Sequence, residues 1–183
     1  MVFNLILIFA FQILYGYVYK WIGILITSFM VGAAGGSLLM TSFLSKIKKD
    51  ISLFITLEIG LILFSSLIPL IFLMLQPYIG YFFKFTLLQI VFLILSFTSG
   101  FLTSSQFPLA AKIYSRISPQ VGTTAGLIYS SDLLGGWIGG ILGGAILLPI
   151  LGLTKACIVI AIFKMSSLIV IFIAFNRLRR AKI

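Results

Sequence analysis

Three charged side chains interrupt long apolar stretches of this sequence: Glu58, Asp132 and Lys164. A charge that faces lipid from the middle of a membrane helix costs about 3 kcal/mol or more, so such groups usually face the interior of a bundle and find partners there. Tyr129 lies nearly one turn before Asp132 and adds a hydroxyl to the same region. Two interpretations stay open: a static ion pair that fixes helix register, and a site or relay for a proton or cation.

The depth of each charge along its helix indicates which charges can pair. From the rise per residue, Asp132 lies about 13 Å, Lys164 about 18 Å and Glu58 about 10 Å from the predicted cytoplasmic ends of their helices. A lysine side chain is long enough to span the difference between Asp132 and Lys164, which lie on consecutive apolar stretches. We therefore expect Asp132 and Lys164 to pair, with Glu58 as the alternative acceptor.

The remaining residues offer little for catalysis. The chain has no histidine, one cysteine (Cys157) and only one further acidic residue, Asp50. It therefore contains no catalytic triad, no dense set of metal ligands, and no phosphate-binding or dinucleotide-binding loop. We expect no catalytic residues, no metal and no other cofactor.

Long apolar stretches make up most of the chain. Of its 183 residues, 61% are hydrophobic and 9% are charged, whereas a soluble domain has about a quarter charged residues. A membrane-spanning helix needs roughly 20 mostly apolar residues. Six stretches meet this requirement, approximately residues 1–19, 22–44, 51–75, 83–107, 123–151 and 155–176. The sequence thus predicts an all-α protein in which residues 1–183 form one membrane domain, a six-helix transmembrane bundle.

The basic residues predict how these helices are oriented. Connections two and four and the C-terminal tail hold nine basic residues, against three in connections one, three and five. The nine are Lys46, Lys48, Lys49, Lys112, Arg116, Arg177, Arg179, Arg180 and Lys182, and the three are Lys20, Lys84 and Lys155. Positively charged connections stay in the cytoplasm, so both termini are predicted to be cytoplasmic in a multi-pass protein of the cell (inner) membrane. The net charge of +10 follows from this pattern, and the expected partner is the lipid bilayer and not nucleic acid.

Glycines are concentrated in the second and fifth apolar stretches. They are Gly32, Gly35 and Gly36 in the second, and Gly135, Gly136, Gly139, Gly140, Gly143 and Gly144 in the fifth. Small residues at this spacing let membrane helices approach closely, so we expect these glycines to pack helices together. A smooth glycine face also permits one helix to slide against another during transport. Each glycine-rich stretch is the middle one of three, an arrangement typical of an inverted 3+3 repeat in transporters.

The segment Phe107–Lys155 is the most distinctive part of the chain. It reads FPLAAKIYSRISPQVGTTAGLIYSSDLLGGWIGGILGGAILLPILGLTK and contains a Tyr-x-x-Asp-Leu-x-Gly element at Tyr129, Asp132, Leu133 and Gly135. This segment, together with Gln12–Leu39, resembles the membrane domain of the spermidine synthase-like fusion proteins. Those proteins join major-facilitator-like helices to a soluble aminopropyltransferase domain. The chain has no such soluble domain, so the resemblance does not imply enzymatic activity.

Two functions are compatible with this resemblance. The first is a module that moves a small organic cation, such as a polyamine, with Asp132 and Glu58 supplying negative charge and Lys164 as counter-ion. Because six helices are about half of a major facilitator, this function implies a homo-oligomer or a second six-helix membrane protein. The alternative is a non-transporting membrane anchor or scaffold for a cytoplasmic aminopropyltransferase-type enzyme.

Overall fold

The computed structural model is helical throughout the residues that it describes, namely 2–16, 19–45, 50–75, 82–115 and 120–180. This confirms the predicted all-α class. The helices are α1 (Val2–Tyr15), α2 (Tyr19–Phe43), α3 (Asp50–Leu75), α4 (Phe82–Ser115), α5 (Val121–Gly140) and α6 (Leu148–Arg180), with a π-helical segment, Ile141–Leu147, between α5 and α6. The predicted end of the fourth stretch at residue 107 is too early, because α4 continues to Ser115. Lys112 therefore lies in the last turn of a helix and not in a connection.

Four helical stretches in the described part of the chain are long and apolar enough to cross a membrane: Tyr19–Phe43, Asp50–Phe72, Leu88–Ser115 and Gly122–Ile173. The N-terminal apolar helix, Val2–Leu14, is shorter. Helices thus overlap all six predicted ranges, and the last two ranges fall within one long helical stretch. These features are those of a membrane protein, while the number of six crossings stays a prediction.

Gly152 interrupts the long stretch that contains the last two predicted ranges. Its backbone has φ 71° and ψ 176°, a conformation that residues with a Cβ rarely adopt. Residues before Gly152 pack on α1, whereas residues after it pack on α3. The chain therefore changes course at Gly152, and the two sides of this residue have different neighbours.

The closest helix pair is α2 with α4. A Cβ added to Gly32 would collide with the carbonyl oxygen of Phe97, and one added to Gly36 would collide with that of Phe101. A Cβ on Gly100 of α4 would in turn collide with the carbonyl oxygen of Phe29. Residue numbers rise together along both helices, so α2 and α4 run parallel with their backbones in contact.

Helices α3 and α6 pair in the opposite sense. The Ser65 hydroxyl donates to the Cys157 carbonyl oxygen over 3.1 Å, and the Lys164 ammonium lies 3.1 Å from a Glu58 carboxylate oxygen. Residue numbers rise along α3 as they fall along α6. The two helices are therefore antiparallel.

Helix α1 is the centre of the bundle. One cluster of buried apolar residues joins α1 to α2 and α4 and consists of Leu7, Ile8, Ala10, Phe11, Leu25, Leu88, Phe92 and Leu95. A second cluster joins α1 to α3 and α6 and consists of Phe3, Ile6, Leu61, Ile68, Leu148, Ala156 and Cys157. The ring centroids of Phe11 and Phe92 are 5.4 Å apart, and the Ser96 hydroxyl donates to Asn4 Oδ1 over 3.1 Å. These two contacts make α1 antiparallel to α4.

Neighbouring segments of the chain alternate in direction. Helices α3 and α4 are antiparallel, because the Phe72 ring lies by Phe92 while Gly60 lies by Leu102. With the pairs described above, α1 and α3 run one way, and α2, α4 and α6 run the other way. Successive membrane crossings require this alternation, although the orientation of the bundle in a membrane stays a prediction.

Candidate functional site

The intramembrane ion pair joins Lys164 to Glu58. The Lys164 Nζ lies 3.3 Å from Glu58 Oε1 and 3.1 Å from Glu58 Oε2. The Glu58 side chain is 4% exposed and that of Lys164 is 27% exposed. The predicted pair of Asp132 and Lys164 is therefore wrong, and the alternative acceptor is the partner. The physical reason is that α6 packs on α3 and not on α5.

Asp132 is an exposed residue of α5 and makes no ion pair with any residue in the described ranges. Tyr129, one turn earlier, is 58% exposed. The hydroxyls of Ser130 and Ser131 are already satisfied, because both donate to the Leu127 carbonyl oxygen, at 3.0 Å and 2.7 Å. Within the described ranges, the Asp132 carboxylate is thus a charge without a counter-ion in an apolar helix.

The face of α5 that carries Asp132 also carries the contact with α1. A Cβ on Gly139 would lie 2.9 Å from Val2 Cγ2, and one on Gly143 would lie 2.8 Å from Val2 Cγ1. Asp132 precedes Gly139 by seven residues, or about two turns, so the two lie on the same face. Helix α1 begins at Val2, so its described residues end near Gly139 and do not reach the level of Asp132.

Gln106 is a half-buried residue of α4. Phe92, Ser99 and Gln106 follow one another at seven-residue intervals and thus share a face of α4. At Phe92 this face contacts Phe11 of α1. The Nε2 atom of Gln106 is buried and has no hydrogen-bond partner among the described residues. By the rise per residue, Gln106 lies about 14 Å from Ser115 at the end of α4.

Most of α5 after its first turn is exposed. Thr124, near the start of α5, is buried, whereas every residue from Ala125 to Gly135 is exposed except Ile128, which is half-buried. Asp132 lies about 17 Å along α5 from Val121, a depth similar to that of Gln106. Elsewhere in the bundle, α1 contacts α4 through Asn4 and contacts Gly139 of α5 through Val2.

The glycines singled out from the sequence have different surroundings. Gly32 and Gly36 contact the backbone of α4, while Gly139, Gly143 and Gly144 contact side chains of α1. Among the described residues, nothing lies within 4 Å of a Cβ added to Gly35, Gly135 or Gly140, and the packing role expected for these three stays a prediction. Gly136 is half-buried. In the fifth stretch, Gly139, Gly143 and Gly144 thus pack on α1, whereas no described residue lies close to Gly135 or Gly140.

Two contacts were missed by the sequence reasoning. Gly100 completes the α2–α4 crossing, and its signal was the four-residue spacing of the small residues Ser96, Gly100 and Ser104. Lys112 lies 2.7 Å from an Asp50 carboxylate oxygen and donates to the Leu44 carbonyl oxygen over 2.7 Å. This second contact links the ends of α2, α3 and α4. The sequence feature that could have indicated this contact is an acidic residue, Asp50, and a basic residue, Lys112, on the same predicted side of the membrane.

The comparisons with known proteins give no relative from which a site could be transferred. No family model, no curated protein and no solved structure matches this chain. The candidate site therefore stands on its own geometry, namely the exposed Asp132 carboxylate, which has no ion-pair partner among the described residues.

Proposed function

We propose that this protein is a membrane transport module for a small organic cation, with Asp132 as the carboxylate that holds the cation. The observation that carries the proposal is the exposure of Asp132 on an apolar helix without a partner in the described residues. An ionisable residue in this setting typically marks a substrate or ion pathway. Glu58 and Lys164 neutralise each other, so they take a structural role.

The pattern of helix contacts supports an inverted 3+3 repeat, which is common in transporters. In such a repeat, α1 corresponds to α4, α2 to α5 and α3 to α6. The contact between α2 and α4 then corresponds to the contact between α5 and α1. Both involve glycines, Gly32 and Gly36 of α2 in one case, and Gly139 of α5 with Gly143 of the adjoining π-helical segment in the other. The α1–α4 and α3–α6 contacts each map onto themselves. These correspondences favour two related three-helix units.

The two ends of the bundle differ in a way that suits alternating access. A cluster of rings lies where α1, α2 and α4 meet, with Phe11 lying 6.0 Å from Trp21 and 5.4 Å from Phe92 between centroids. With the predicted orientation, these rings lie toward the outer end, whereas Asp132 lies on the exposed first half of α5, nearer the cytoplasmic end.

A complete transporter of this type needs a second half. The exposed part of α5 from Ala125 to Gly135 is the surface that would face it. We propose that a second copy of this chain or another six-helix membrane protein supplies that half. The location in the cell (inner) membrane, with both termini in the cytoplasm, belongs to the same proposal, as does a polyamine-like substrate.

Flux of a labelled aliphatic amine or polyamine into proteoliposomes tests the proposal. Asp132→Asn should reduce uptake at least tenfold, because a hydrogen bond between charged groups contributes about 1.5–3 kcal/mol, and Asp132→Glu should retain part of it. Ser131→Ala is the matched control, since its hydroxyl bonds only within its own helix and its loss should leave uptake unchanged. Absence of flux with wild-type protein would favour the alternative, an anchor or scaffold for an aminopropyltransferase-type enzyme.

A further inference from the structure

We infer that the Tyr129 ring binds the cation together with Asp132, and that this pair selects a protonated secondary or tertiary amine. This inference rests on the proposed function, and it narrows the substrate class. Tyr129 and Asp132 are both exposed residues of α5, three residues apart and therefore on the same face of the helix. One cation can thus contact both side chains.

The spacing of the two residues suits a cation bound between them. Residues three apart on a helix have Cβ atoms about 5–6 Å from each other. Helical side chains lean toward the N-terminal end of the helix, so that of Asp132 leans toward Tyr129. A cation within about 6 Å of a ring centroid is attracted by the face of the ring. An ammonium group that bonds to the Asp132 carboxylate is therefore in range of the Tyr129 ring.

The residues on either side of the pair leave it open to a ligand. Gly126 precedes Tyr129 by three residues, and Gly135 follows Asp132 by three. Among the described residues, nothing lies within 4 Å of a Cβ added to either glycine. The ring and the carboxylate therefore lie next to each other without a side chain of the same row to cover them.

The chemistry of amines decides the substrate class. The Asp132 carboxylate accepts hydrogen bonds, so it favours an ammonium group that keeps at least one N–H. A primary ammonium is compact and strongly hydrated, whereas an ammonium with alkyl groups on its nitrogen is well suited to the face of an aromatic ring. A quaternary ammonium suits the ring but has no N–H for the carboxylate. A secondary or tertiary ammonium meets both conditions.

Binding of three small cations to the detergent-solubilised full chain, measured as ligand-dependent thermal shift, tests the inference without requiring transport. The probes are propylamine, N,N-dimethylpropylamine and propyltrimethylammonium, which share one carbon chain. N,N-dimethylpropylamine should bind most tightly, about two- to fivefold better than propylamine, which is the contribution of a cation–π contact at an exposed site.

Substitutions at the two residues separate the ring from the charge. Tyr129→Phe should keep the preference for N,N-dimethylpropylamine, because the ring is retained. Tyr129→Leu should abolish it, although leucine keeps an apolar surface on which methyl groups alone would still gain. Asp132→Asn should weaken the binding of all three cations.

Trp137→Leu is the matched control, because Trp137 is another exposed aromatic residue of α5 and lies about 140° around the helix from Asp132. It should keep the preference for N,N-dimethylpropylamine. Tyr129→Leu should also leave the melting temperature without ligand unchanged, since the Tyr129 side chain is exposed.

The outcomes distinguish this inference from the proposed function. Equal binding of propylamine and N,N-dimethylpropylamine to wild-type protein, or a preference that survives Tyr129→Leu, would overturn the inference even if amine flux is observed. A Tyr129-dependent preference in a protein without flux would support the site and refute transport. Amine binding that is unchanged by Asp132→Asn would refute both.

Discussion

The charges of this protein fall into two kinds, and the difference lies in what surrounds each side chain. Glu58 is buried against the Lys164 ammonium, whereas Asp132 is exposed without an ion-pair partner in the described ranges. A buried ion pair contributes little net stability, yet removing one partner is costly because the other charge stays buried. The Glu58–Lys164 pair therefore fixes the register of α3 against α6.

Replacement of the paired charges should show this coupling. Lys164→Met should lower stability by about 3–5 kcal/mol, because it leaves a buried carboxylate without a counter-ion. Glu58→Gln should cost less, since the Lys164 side chain reaches partial exposure. The double variant should recover much of the loss, as measured by thermal unfolding in detergent.

Asp132 provides the control for this pair. Combining Asp132→Asn with Lys164→Met should give no rescue, because the two residues make no contact in the structure. Recovery in that combination, with simple additivity for Glu58 and Lys164, would show that the assigned pair is wrong.

Helix packing depends on which glycines meet another backbone. Gly32, Gly36 and Gly100 lie where α2 and α4 touch, so any side chain at these positions must displace backbone atoms. Gly139 and Gly143 contact only the side chain of Val2, which has room to adjust. The α2–α4 pair is thus the rigid part of the bundle, and α5 is held by a lighter contact.

Substitutions at these glycines should separate the two cases. Gly100→Ala should destabilise the protein by about 1–3 kcal/mol, the usual cost of overpacking, because the added methyl meets the carbonyl oxygen of Phe29. Gly140→Ala, with nothing within 4 Å of the new methyl, should leave the melting temperature unchanged or raise it, since alanine favours the helix. Equal melting temperatures for the two variants would contradict the α2–α4 crossing.

The directions of the helices indicate how the fold could lie across a membrane. The alternation seen among α1, α2, α3, α4 and α6 agrees with a chain that crosses the bilayer repeatedly, and the basic residues predict that the even connections are cytoplasmic. This predicted orientation also decides which side of the membrane Asp132 is nearer to.

Cysteine labelling tests the orientation of the whole molecule. In a Cys157→Ser background, Ser45→Cys and Ser115→Cys should react only with reagent on the cytoplasmic side, and Tyr19→Cys only with reagent outside. All three positions are exposed, so failure to react cannot be attributed to burial. Reaction of Tyr19→Cys from the cytoplasmic side would reverse the predicted topology and place Asp132 nearer the outer face.

The class of structure was available from the sequence because it depends on local properties. Apolar stretches of sufficient length, with charges confined mainly to their ends, predict helices wherever they pack, and the structure has helices over all six ranges. Even Glu58 and Lys164 were recognisable as groups that need partners, because that need follows from residue type and depth alone.

Only the tertiary structure decided which groups meet. Depth along a helix placed both Asp132 and Glu58 within reach of Lys164, and nothing in the sequence specified that α6 packs on α3. The glycine row of the fifth stretch likewise indicated a smooth surface without indicating which edge faces α1. Periodicity describes a single helix, whereas a contact depends on the position of its neighbour. For this reason the Gly100 contact, the Asp50–Lys112 pair and the exposure of Asp132 emerged only from the packed bundle.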